Sequence, residues 1–131
     1  MTALAVMLRR HNRIPENEIE GFTPRTFCDQ LKRFGAFDSV GNLRTFLPIE
    51  YRFKLKYCGS FEYSREALEA AARDNGMMIL KVAGKNAPYH YICLDEITPD
   101  DAVIIDSASD KRHLSEFETV YSFFRFTDRY K

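Results

Sequence analysis

The chain is expected to fold as an α+β domain, with an N-terminal helical half packed on a C-terminal antiparallel sheet. Three observations carry that expectation. Apolar residues recur at helical spacing in two early segments. One alanine-rich segment near the middle has strong helix propensity. After it come three short apolar runs, "MMILKVAG", "YHYICLDEI" and "AVIIDSA", separated only by the turn-like "KNAP" and "TPDD". A chain of 131 residues is the size of one ordinary domain and can bury a real core. A single domain over residues 1–131 is expected, with the helical half to about residue 48 and the sheet half, containing one long helix, over about 49–131.

Ala3, Leu4, Met7 and Leu8 fall on one helical face, which predicts a helix from residue 2 to about 12. "GFTPRTFCDQLKRFGAF" predicts a second. Thr23 suits its N-cap, Pro24 its first turn and Gly35 its stop, with Phe27, Cys28, Leu31 and Phe34 as its apolar face. "YRFKLKY", residues 51–57, alternates apolar and basic residues as a half-exposed strand should. "SREALEAAARDNG" reads as a helix capped by Ser64 and stopped before Gly76. The three apolar runs follow as consecutive antiparallel strands. "HLSEFETVY" then predicts a short helix capped by Ser115, and "SFFRF" a closing strand.

Composition removes several function classes. Nineteen Lys and Arg balance nineteen Asp and Glu, whereas a general nucleic-acid binder needs an excess of cations to displace counterions, so no specific nucleic-acid partner is expected. The cluster Arg9, Arg10, His11 and Arg13 is followed by Glu16, Glu18 and Glu20 and reads as a solvated charged face. Cys28, Cys58 and Cys93 are odd in number and widely spaced, which signals neither a disulfide framework nor a zinc site. Together with the absence of a signal-peptide pattern or a membrane-length apolar run, this predicts a cytoplasmic protein without membrane insertion, metal or cofactor. Nothing in the pattern speaks to oligomeric state.

The chemistry centres on His90 and Asp106. Alternation puts His90, Ile92, Leu94 and Glu96 on one strand face and Tyr89, Tyr91, Cys93 and Asp95 on the other. A hairpin closed by "TPDD" sets residues near 90 opposite residues near 106 and 107, within reach of a carboxylate–imidazole contact. A carboxylate bonded to Nδ1–H would hold the imidazole with Nε2 facing a nucleophile. The structural alternative is an ordinary strand histidine and an aspartate that ends a strand.

The order of these segments resembles the papain-like domain of bacteriocin-processing, double-glycine cysteine peptidases. The segments concerned are "ALAVML", "TP", "SREALEAA", "MMILKV", a strand opening "HY", a strand ending in Asp, and "LSEFETVY". The resemblance implies that His90 is the catalytic histidine and Asp106 its orienting aspartate, with Ser107 where the family carries proline. It implies a cysteine at the N-terminus of the first helix and an upstream glutamine. Neither has a counterpart here.

Two expectations of function follow. The first is a catalytically inactive papain-like domain that binds a peptide or protein partner through a cleft or a sheet edge, with Tyr89 and Tyr91 as binding aromatics, as the family's cysteine-less relatives dock substrates. The alternative is an active cysteine peptidase, or a related thiol hydrolase or transferase, using His90 and Asp106 with a nucleophile at Cys58 or upstream of Met1.

Overall fold

The computed structural model describes residues 2–39, 43–106 and 110–128. Four α-helices are present among them: α1 (Thr2–Arg10), α2 (Pro24–Arg33), α3 (Leu47–Phe53) and α4 (Arg65–Arg73). Six strands form one sheet: β1 (Leu55–Glu62), β2 (Met77–Ala83), β3 (Tyr89–Ile97), β4 (Ala102–Asp106), β5 (Asp110–His113) and β6 (Val120–Asp128). Their order is β1-β6-β2-β3-β4-β5, with every pairing antiparallel. The α+β class and the β2-β3-β4 hairpin series are therefore as expected, and the closing strand β6 runs between β1 and β2.

Both faces of the sheet are covered, because its strands carry apolar residues on both sides. Leu55, Met77, Ile79, Cys93, Ile105 and Phe126 pack against α1, α2 and α3 in one layer. Met78, Leu80, Val82, Ile92, Leu94, Ile104 and Phe123 pack against Leu68 and Ala71 of α4 and against Leu114 in the other. Residues alternate between the layers along β2 as strand geometry requires. Along β3 a bulge at Asp95 breaks the alternation, since the register against β4 shifts between Leu94 and Glu96. Ile97 thereby joins the α4-side layer and Glu96 turns outward, so Glu96 does not share the face of His90 and Leu94 as expected.

The helix caps follow from local chemistry. Thr23 Oγ1 accepts from the Thr26 backbone N–H at 3.1 Å, the Thr26 hydroxyl accepts from the Thr23 N–H at 2.9 Å, and Pro24 opens the first turn of α2. Ser64 Oγ accepts from Ala67 N–H at 3.0 Å and starts α4. Gly35 takes a left-handed conformation just past α2, with φ 71°. Phe34 caps that helix and is 56% exposed, so it leaves the apolar face it was assigned.

Three segments differ from expectation. Tyr51–Phe53 end a helix, and the strand starts only at Leu55. Ile49 and Phe53 lie one turn apart and are both buried against α2, so helical burial prevails over the alternating pattern, and Lys54 turns the chain in a left-handed conformation. "HLSEFETVY" is not a helix: His113 ends β5, Leu114–Glu116 form one 3-10 turn and Val120 opens β6. Ser115 caps no helix there; its backbone N–H and hydroxyl both donate to the Asp101 carboxylate, at 3.0 and 2.5 Å. Asp110 starts a strand paired with β4 where no strand is expected from sequence. Ser107 lies outside the described residues.

Candidate functional site

His90 and Asp106 meet at the edge of the α4-side layer. Cys93 pairs with Ile105 and Leu94 with Ile104, so one further step puts Asp106 across from Ile92, two residues from His90 on the same face. The imidazole Nε2 lies 2.6 Å from Asp106 Oδ1. The contact expected from sequence is with Nδ1. In the structure the contact is made through Nε2 instead. Asp106 is only 9% exposed, and its second oxygen accepts from Arg112 Nη1 at 3.2 Å. Burial of a carboxylate is tolerated here because both oxygens are hydrogen-bonded.

Further contacts hold these groups. Arg112 also donates to Glu116 Oε1 at 3.3 Å through Nε and Nη2, while Glu116 Oε2 accepts from the His113 N–H at 2.7 Å. The backbone bond from His113, aided by Arg112, keeps the Glu116 carboxyl below the usual range, and the Glu116 bond raises Arg112. Phe117 stacks on the His90 ring at 6.4 Å and lies under the Arg112 guanidinium at 5.3 Å. These residues, with the β2–β3 loop and Tyr89, line a cleft of about 440 Å³. Neither Arg112 nor Phe117 was singled out from sequence, since "DKRHLSEF" carries no motif and only the unrecognised β5 brings Arg112 to Asp106.

The three cysteines lie elsewhere. Cys93 is fully buried in the α1-side layer, on the face opposite His90, and burial pushes its thiol up to about 12. Cys28 is half-buried in α2. Cys58 sits at a bulge of β1, its Sγ 3.4 Å from Thr127 Oγ1. β1 and β3 are separated by β6 and β2, which is three strand spacings, about 14 Å. The structure does not bring Cys58 and His90 together.

Tyr89, which also borders the His90 cleft, has its ring against Lys81, and Tyr91 faces the other side of the sheet from His90. A second cleft, of about 400 Å³, opens there between the helices and the sheet. Ala3 and Leu4 of α1 and Leu43 and Phe46 before α3 form one wall; Ile79, Tyr91, Phe124 and Phe126 form the other. Phe46 packs on Tyr57 at 4.2 Å and on Phe126 at 5.3 Å, so the floor is rigid aromatic surface. Tyr91 remains 44% exposed and lies 6.1 Å from Phe124. Beyond it Tyr89, 50% exposed, meets Tyr121 edge-on at 5.6 Å, and Lys81 Nζ lies 3.8 Å above the Tyr89 ring.

Among the described residues no group of three or more His, Cys, Asp or Glu is placed to hold a metal ion, and no helix is long and apolar enough to cross a membrane. The chain has no match among models of known protein families, curated proteins or solved structures.

Proposed function

We propose that the chain binds a peptide or protein segment without cutting it, in the cleft between the helices and the sheet. The observation that carries this reading is the aromatic-walled cleft beside Tyr91. Its volume is in the range of ligand pockets, its walls are mostly apolar, and a half-exposed tyrosine at its mouth offers contact area at low entropic cost. The placement of the thiols supports the non-cutting half of the reading. Nucleophilic catalysis needs a thiolate within hydrogen-bond reach of its base, and Cys28, Cys58 and Cys93 stand on other elements or on the opposite face. The start of α1, where the resembled family carries its cysteine, lies on the Tyr91 side of the sheet and not on the His90 side, so the chain departs from that family's cysteine–histidine arrangement. In this reading His90, Asp106 and Arg112 tie the ends of β3, β4 and β5 together.

The test is selection of random peptides on the immobilised full chain, followed by calorimetric titration of enriched peptides into wild type and Tyr91→Ala. The reading expects enrichment, binding at least about tenfold weaker in the variant, and peptides recovered intact by mass spectrometry. No enrichment, or binding indifferent to Tyr91, sinks it. Cleaved peptides would establish the peptidase alternative.

A further inference from the structure

Beyond the cleft, the uncovered part of the same sheet face carries an ordered series of groups. Ile79 lines the cleft. Lys81 is two residues along β2 on the same face and pairs across with Tyr91. Tyr89 and Tyr121 follow. Lys81 is the cation of this strip: its ammonium rests on the Tyr89 ring, and among the described residues it makes no ion pair. The nearest carboxylate on that face by register is Glu62, which aligns with Ser122 and through it with Lys81. That is two strand spacings away, roughly 10 Å. An apolar hollow is thus followed by a positive charge one strand repeat, about 7 Å, further on.

We infer that the bound segment is an extended peptide that carries an apolar side chain and a carboxylate two residues apart. The apolar side chain enters the hollow over Ile79 and Phe124, and the acidic one meets Lys81. This inference rests on the peptide-binding reading and specifies its ligand. The spacing is the argument. Residues i and i+2 of an extended chain project to the same side at the repeat that separates Ile79 from Lys81 along β2. A carboxylate two residues from the anchor therefore lands at the ammonium, whereas a lysine there meets like charge. The Tyr89 ring against the Lys81 ammonium excludes part of its hydration and strengthens the preference.

Fluorescein-labelled peptides with a central leucine or phenylalanine, carrying Glu, Gln or Lys at the second position on both sides of it, are titrated against the full chain by anisotropy. The expected order is Glu tightest and Lys weakest, with about three- to tenfold between the extremes. The gap should shrink at high salt, and Lys81→Glu should reverse the order. Salt dependence on wild type serves as the second readout should that variant misfold. If all three peptides bind equally and Tyr91→Ala still abolishes binding, the charge rule is overturned while the cleft stands. If none binds, and the selected peptides also ignore Tyr91, the reading beneath it falls. A dimer in sedimentation velocity that dissociates on Tyr91→Ala would show that a second copy fills the strip, and would overturn the inference.

Discussion

At the scale of single residues, titration behaviour follows from where charges are buried. His11, just past α1, has a buried and unpartnered Nε2. Burial first, then the charges of Arg10 and Arg13, lower its pKa from 6.5 to about 4, with Asp95 opposing. The folded chain thus keeps His11 neutral where the unfolded chain protonates it. The unfolded state binds more protons between those values, so stability falls as pH drops from 6.5 towards 4. Urea midpoints measured across that window should decline, and His11→Gln should flatten the decline; an unchanged slope would refute the assignment. Asp95 adds to acid sensitivity below that window. Although burial pushes its carboxyl up, the bonds and charges of Arg10 and Lys111 prevail and hold it below the ordinary value, so its contribution is lost on further acidification. Cys93 carries a separate expectation. With its thiol pushed up to about 12 and no exposed surface, it should resist iodoacetamide in the native protein and react only on unfolding, as mass mapping of alkylated sites would show.

At the scale of elements, the caps were legible and one close approach was not. Thr23 and Ser64 sit where a hydroxyl followed by helix formers predicts an N-cap, because a cap is a contact between neighbours in sequence. Thr23→Ala should cost about 1 kcal/mol, read from the denaturation midpoint. Gly76 was read only as a helix stop. A Cβ there would lie 2.6 Å from the Ala71 backbone oxygen and 2.9 Å from the Met78 sulfur. The backbone cannot yield cheaply, so Gly76→Ala should destabilise by several times the cost of the lost cap, about 2–4 kcal/mol. A neutral result would mean that the α4–β2 turn relaxes freely. The misread stretch at residues 51–57 is instructive in the same way. Its alternation also fits the end of a helix that starts earlier, and only the burial of Ile49 and Phe53 against Phe22 and Phe27 chooses between them.

At the scale of the whole molecule, the position of β6 governs cooperativity. It pairs with both β1 and β2, and Phe123 and Phe126 are fully buried on opposite faces. A chain ending before Val120 should therefore lose the sheet and not merely one strand, and its far-ultraviolet circular dichroism should be that of an unfolded chain. A truncated chain with native-like dichroism would show that the β2-β3-β4 series folds on its own. The sequence by itself determined the α+β class, the caps, the two hairpins and the common face of His90 and Asp106, because each rests on periodicity or on contacts across one short turn. The bulge at Asp95, the insertion of β6, the pairing of β5 that brings Arg112 to Asp106, and the side of the sheet on which α1 lies were decided by the tertiary structure. Both faces of the central strands are apolar, so no alternation marks which face a helix will cover or which neighbour a distant strand will take. Those choices are made by how the two layers bury their surface together.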